Sequence, residues 1–300
     1  MKRPRRFALE ARLLGAIAAV VSRLPRRTML ALGRLLGRAW ASLDPRHVAI
    51  AADNLRRAFP DWDEARVART ARGVYAHFGQ ILLDILWLER RSQEEVRSLI
   101  DAEGEEHPRR VAAEGRGVLF VACHLGNWEL QGVALGWLVG GMGVVGRPLD
   151  NPELDARLTA FRARGGNQVI SKHRALPQVM RLLRGGKGVA FLIDQNVQES
   201  DGIFVDFFGR PAATTTAVAA LAVKTGCPMI TGFTRLGPDG RYRMLYTPVI
   251  EWTPTGDRAA DVARLTQDLT HRIEAYVREV PEQWLWIHRR WKTQPGARRE

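Results

Sequence analysis

Cysteine is nearly absent: 300 residues hold only Cys123 and Cys227. That leaves no framework for a disulfide-stapled fold, and no Cys-x-x-Cys pair or Cys/His spacing of the zinc type occurs. Both cysteines lie in apolar runs, as buried thiols in a reducing compartment would. Long apolar runs are missing too. In "MKRPRRFALEARLLGAIAAVVSRLPRR" the uncharged stretch between Arg12 and Arg23 is ten residues. A bilayer span takes about twenty, so this is no ordinary transmembrane helix. The basic start and short apolar stretch fit a signal peptide, but no small-residue cleavage site is clear before "SRLPRR". Acidic residues are in deficit, with 32 Asp and Glu against 45 Lys and Arg, a net charge of +13. The excess points to an anionic partner without separating nucleic acid, phospholipid and phosphorylated substrate. The basic residues are spread along the chain and no nucleic-acid motif appears, which weighs against nucleic acid. There are no internal repeats and no low-complexity tract.

What is present is a 46% apolar chain, enough for a real core in one large or two modest domains. Leu9, Leu13, Ile17, Val20 and Leu24 step by 4, 4, 3 and 4, which is one face of a helix. After Pro25, the residues Leu32, Leu36, Trp40 and Leu43 repeat the pattern. Two amphipathic helices over 1–43 follow, either packed on the core or lying in a membrane surface. The basic flanks and Trp40 favour the membrane surface. Residues 44–300 read as an α/β domain with a helical lead-in over 44–116.

From residue 117 strands alternate with helices. "GVLFVAC", "GMGVVGRPL", "NQVIS", "GVAFLID", "PMITGFTRL" and "RYRMLYTPVIEW" read as strands. "WELQGVALGWLV", "PELDARLTAFRARG", "ALPQVMRLLRGG", "TTTAVAALAVKTG" and "DRAADVARLTQDLTHRIEAYVREVP" read as helices. The fold class is α/β, a mostly parallel mixed sheet flanked by helices, with the N-terminal membrane-associated segment in front. Chemistry is then expected beyond the carboxyl ends of the strands. His124, Arg147 and Asp194 each stand at such an end, which places them on one rim.

"HLGNWE" (124–129) carries the sharpest signal. A neutral imidazole can take a proton from a hydroxyl as it attacks a carbonyl, and a carboxylate on the other ring nitrogen fixes the tautomer. His124 would be the general base, Glu129 its partner, and the substrate's own hydroxyl the nucleophile. Gly126 permits a sharp turn and Asn127 an unusual turn conformation. The alternative is a strand-end histidine capping a helix with Glu129 as an ordinary first-turn charge. A Cys123–His124 nucleophilic pair is disfavoured, because neighbours on a strand point to opposite faces. No metal is expected, since no second histidine sits at a ligand spacing.

Five blocks in order resemble the late acyltransferases of lipid A biosynthesis, the lauroyl/myristoyl transferase family, within the wider glycerolipid acyltransferases that carry His and an acid five positions on. They are "NLRRAFP" (54–60), "HLGNWE" (124–129), "GRPLDNPELD" (146–155), "DQN" with "GIFVDFFGRPAATTT" (194–216), and "PEQWLWIHRRWKTQP" (281–295). The resemblance implies an α/β acyltransferase fold with an N-terminal membrane-associated helix. It implies transfer of a fatty acyl group from acyl carrier protein to a hydroxyl of a phosphorylated, acylated glucosamine disaccharide, the lipid A precursor. Neither metal nor bound cofactor would be needed, and the enzyme would work on the cytoplasmic face of the inner membrane. One departure is the opening helix, shorter than the family's usual anchor and interrupted by Glu10 and Arg12.

Thioester chemistry suits such a site, because the departing thiol ionises at about pH 8.5 and the tetrahedral oxyanion needs aimed donors. Backbone amides after His124, or a nearby arginine, could supply them. Arginines suit the phosphate oxygens of acceptor and donor. Arg147 is the first choice, with Arg164 and Arg210 after it, each weighed against a solvated surface charge. Asp194 ends an apolar strand, where it pairs with an arginine, polarises a substrate group or caps a turn. Competing readings are an acyltransferase using acyl carrier protein or acyl-CoA on another glycolipid or a glycerophosphate, as in the related mannoside-lipid acyltransferases, and a basic membrane- or nucleic-acid-binding protein. The Glu129 form and "IHRRWK" favour the lipid A branch.

Overall fold

The computed structural model describes residues 3–173 and 175–296. Helices α1 (Arg3–Val21), α2 (Arg26–Leu43), α3 (Pro45–Ala58), α4 (Glu64–Leu88) and α5 (Gln93–Arg97) come first. There follow β1 (Ile100–Glu103), α6 (Glu106–Ala113), β2 (Val118–Ala122), α7 (Trp128–Val139), β3 (Met142–Gly146), α8 (Pro152–Ala163), β4 (Gln168–Ser171), α9 (Ala175–Arg184) and β5 (Gly188–Leu192). The chain continues through β6 (Gly202–Phe207), β7 (Arg210–Thr215), α10 (Ala217–Thr225), β8 (Met229–Leu236), β9 (Tyr242–Tyr246) and α11 (Arg258–Glu279).

Seven strands form one sheet in the order β1-β9-β8-β2-β5-β3-β4. Every pairing is parallel except β8 with β9. β2 is a continuous apolar run because both its faces are covered. Leu119, Val121 and Cys123 enter a core shared with α3, α9, α10 and α11, while Val118 and Phe120 enter a second core shared with α1, α2, α4, α7 and α8. The mostly parallel sheet is the one the sequence predicts. Two elements differ from expectation. The edge strand β1 lies in the lead-in expected to be helical. Residues 202–215 form the antiparallel hairpin β6–β7, so Thr214 and Thr215 belong to a strand instead of starting a helix.

The N-terminal helices explain their own composition. α2 turns Met29, Leu30, Gly33, Gly37 and Ala41 inward. A Cβ on Gly37 would lie 2.0 Å from Tyr75 O, and one on Gly79 2.2 Å from Gly33 O. Glycine on both sides lets α2 lie almost backbone to backbone on α4. Most of the apolar row singled out in the sequence points the other way, with Leu13 60% exposed, Val20 62%, Trp40 47% and Leu43 83%, while Leu24 and Leu32 pack against the core. Among the described residues no helix is long and apolar enough to cross a membrane.

Candidate active site

β2 and β5 are adjacent and in register, with Ala122 opposite Leu192. Two residues past each strand end, His124 and Asp194 therefore face each other. His124 Nδ1 lies 2.8 Å from Asp194 Oδ1, and the His124 backbone N–H donates to Asp194 Oδ2 at 2.8 Å. The Trp284 indole N–H donates to the same Oδ2 at 2.7 Å. With Nδ1 engaged, Nε2 is the ring atom left for chemistry. It has no protein partner among the described residues, and His124 lines a cavity of about 1630 Å³.

Charge follows the geometry. Burial works against the charged form of Asp194, but the His124 charge, both His124 hydrogen bonds and Trp284 outweigh it and hold the carboxyl below its ordinary value. Burial also opposes protonation of His124, yet Asp194 by charge and hydrogen bond, with Glu129 adding, keeps the ring above the ordinary histidine value. The bond expected from Glu129 to the second ring nitrogen is made by Asp194. Glu129 is held elsewhere: Arg162 on α8 clasps it through Nε at 2.7 Å and Nη2 at 2.6 Å, and the Trp128 indole N–H donates to it at 3.1 Å. Glu129 stays close enough for its charge to act on His124. Trp128 also packs edge-on against the His124 ring, centroids 5.0 Å apart.

The turn between β2 and α7 is locked by its own residues. Gly126 has φ 59°, and a Cβ there would lie 2.2 Å from Thr234 O, so no other residue fits. Asn127 caps α7 by accepting from the Leu130 N–H at 3.0 Å, and its amide donates to Tyr242 Oη at 3.1 Å. Tyr242 donates in turn to buried Asp84, which pairs with Arg26 of α2. Two of the backbone amides after His124 are engaged: Leu125 N–H donates to Cys123 O and Gly126 N–H to Gln283 O. Arg162 is the arginine nearest the ring on the cavity wall, and its charge acts on His124. Its Nη1 lies over the cavity wall, 3.3 Å from where a Cβ on Gly146 would stand.

The remaining sequence candidates separate. Arg147, one residue past β3, lines the same cavity and is 68% exposed, with one ion pair to Asp150 at 3.2 Å. Lys172 past β4 joins it on the wall. Arg164 is not in the cavity wall; its Nη1 donates to Leu88 O at 2.6 Å and its Nη2 to Arg91 O, tying α8 to the end of α4. Arg210 is also away from the cavity, on the hairpin, donating to Arg57 O at 3.2 Å. Cys123 is buried in the core opposite His124, its thiol pushed well up by burial and by the Asp194 charge. Arg162, Arg157 and Lys172 were missed, being lone cations in helix or loop text with no local signal. Arg157 pairs with Glu89 at 2.8 Å across the cavity wall. Among the described residues no group of three or more His, Cys, Asp or Glu side chains is arranged to hold a metal ion.

Known proteins resemble this chain along most of its length. The chain is 29% identical to the lipid A biosynthesis lauroyltransferase of Escherichia coli (strain K12), over 92% of this chain and 89% of that protein. It is 29% identical to the palmitoleoyltransferase of the same strain, over 91% and 87%. A phosphatidylinositol mannoside acyltransferase of Mycobacterium tuberculosis is 26% identical over 63% of this chain and 58% of that protein. Residues 4–293 match the family described as bacterial lipid A biosynthesis acyltransferase, and the chain belongs to that family and is an acyltransferase.

Proposed function

We propose that this enzyme moves a fatty acyl group from an acyl carrier protein thioester to a hydroxyl of a lipid A precursor. The observation that carries the reading is His124, with Asp194 on Nδ1 and Nε2 left free on the wall of a largely apolar cavity. Nε2 takes the proton of the acceptor hydroxyl as its oxygen bonds to the thioester carbonyl carbon. The oxyanion is met by Arg162, whose Nη1 is not used by Glu129. Collapse breaks the C–S bond, and the imidazolium returns the proton to the departing thiolate. Asp194 keeps the ring in the productive tautomer and stabilises its cation. Glu129 holds Arg162 in place, so its part runs through the arginine and through its charge on His124.

The surroundings suit a phosphorylated, acylated acceptor. Leu14 and Ile17 of α1, Leu82 and Leu86 of α4, and Leu176 of α9 give the cavity apolar walls for acyl chains, while Arg147 and Lys172 face phosphate oxygens. Leu14 and Ile17 share α1 with exposed Leu9, Leu13 and Val20. A helix lying in the inner-membrane surface, on the cytoplasmic side where acyl carrier protein is found, would place the cavity beside its lipid. The test supplies labelled acyl-acyl carrier protein or acyl-CoA with lipid A precursor, a mannosylated phospholipid or glycerol 3-phosphate. Transfer from the carrier protein to the precursor supports the reading. Transfer only to one of the other acceptors refutes it.

A further inference from the structure

The C-terminal segment after α11 is pressed against the catalytic turn. Gly126 N–H donates to Gln283 O at 3.0 Å, and Leu285 N–H donates to His124 O at 3.1 Å. Between these bonds stands Trp284, 1% exposed, its ring edge-on to Trp286 with centroids 4.6 Å apart and tilted against Phe207. Its indole N–H is spent on Asp194. Among the described residues Asp194 Oδ2 therefore takes two donors, Trp284 and the His124 backbone, while Oδ1 takes only the His124 ring.

We infer that Trp284 is a positioning residue for the catalytic pair: its indole N–H saturates the rear oxygen of Asp194, fixes the carboxylate plane and sets the basicity of His124. The inference rests on the acyl-transfer reading and adds a residue far in sequence from both partners. Two donors on Oδ2 leave the carboxylate no other orientation that satisfies buried N–H groups. A donor on that oxygen also draws negative charge away from Oδ1, so His124 feels a weaker anion than Asp194 alone would be. The charged or titratable groups that act on His124 or Asp194 from around the pair are Glu129 on α7, Arg162 on α8, Cys123 at the end of β2, and His288 and Arg290 of the same tail. His77 of α4, beside Gly126, is held down to about 4 by burial and stays neutral. None of these donates to Asp194.

The test replaces Trp284 by β-(3-benzothienyl)alanine, which keeps the ring shape and lacks the N–H, and in parallel makes Trp284→Phe. The same two changes at Trp286 are the control, because that indole donates to Pro281 O at 2.7 Å and not to Asp194. Nitrogen-15 NMR titration follows the His124 ring, assigned by its loss in His124→Gln. Removing the Trp284 N–H should raise the His124 pKa by about one unit, a roughly tenfold gain in ring basicity. The acid limb of kcat/KM should move up with it, while the Trp286 variants leave both in place. An unmoved His124 titration in the isosteric variant, or an equal shift at Trp286, overturns the inference. The ring titration does not depend on turnover, so failure there leaves the acyl-transfer reading standing. Retained transfer by His124→Gln would sink that reading and the inference with it.

Discussion

Asp194→Asn is the sharpest perturbation of this site because it removes charge with almost no change of shape. Oδ2 of Asp194 accepts from the His124 backbone and from Trp284, so the asparagine must keep its oxygen there and turn its NH₂ toward His124 Nδ1. A donor facing Nδ1 forces the neutral ring to carry its proton on Nε2, the atom that faces the cavity. The base is then in the wrong tautomer, and the imidazolium loses its anion. The same change in a serine-protease triad costs about 10⁴ in kcat. A loss of about 10³–10⁴-fold, or roughly 4–5.5 kcal/mol of barrier, is expected here. The fold should lose only the contribution of the His124–Asp194 ion pair, because both buried N–H groups keep an acceptor. Asp194→Ala would strand both, at about 1–3 kcal/mol each. The assay is kcat for acyl transfer, with thermal unfolding of the same samples and nitrogen-15 chemical shifts to read the His124 tautomer. An Asp194→Asn enzyme within about tenfold of wild type, less than about 1.4 kcal/mol of barrier, would refute the assignment of Asp194 as the orienting group.

Further outcomes follow from the same geometry. His124 must be neutral to act and its pKa is raised, so the acid limb of kcat/KM should lie above the ordinary histidine value of about 6.5; a limb at or below that value contradicts the pairing. For stability the signs run oppositely for the two partners. The His124 contribution is complete below its unfolded pKa and fades as pH rises through the raised folded value, while that of Asp194 is complete above its unfolded pKa and fades as pH falls through the depressed one. Unfolding free energy followed from pH 3 to 9 should therefore lose part of its alkaline decline in Asp194→Asn. Arg162→Gln should lower kcat by about 10²–10³ with little effect on the KM of the acyl donor; an effect on KM alone would remove Arg162 from the oxyanion. Gly79→Ala puts a Cβ 2.2 Å from Gly33 O, and overpacking α2 on α4 should cost about 1–3 kcal/mol by denaturant titration; an unchanged midpoint would show that the two helices separate freely.

The sheet was legible because its strands are continuous apolar runs closed by Gly, Pro and charged residues. The rim was legible because His124, Arg147 and Asp194 each stand where such a run stops. The pairing among them was not. That Asp194 and not Glu129 meets His124 depends on β5 lying beside β2, a neighbour relation across 70 residues that local pattern does not contain. Glu129 is five residues from His124 in sequence, yet α7 carries it to Arg162. Arg162 itself looked like any other cation of a basic helix. The hairpin β6–β7 was missed because "TTTAVAALAV" reads as one helix, while the sheet register claims its first two threonines. The tail shows the same effect. "NLRRAFP" and "PEQWLWIHRRWK" stood far apart as text, and Asn54 joins them by donating to Trp286 O and His288 O at 2.7 Å each. In the second helix the apolar periodicity was real, but the face packed on α4 carries Gly33 and Gly37 beside Met29 and Leu30, so close backbone contact adds to side-chain burial.

The most direct measurement is the mass of the acceptor after incubation with acyl-acyl carrier protein and either wild-type enzyme or His124→Gln. Wild type should add one acyl mass to the lipid A precursor, and the variant, folded by thermal unfolding, should add none. A variant that still delivers the acyl group at a comparable rate would contradict the account, because the proton would then be leaving the acceptor hydroxyl by some route other than this ring.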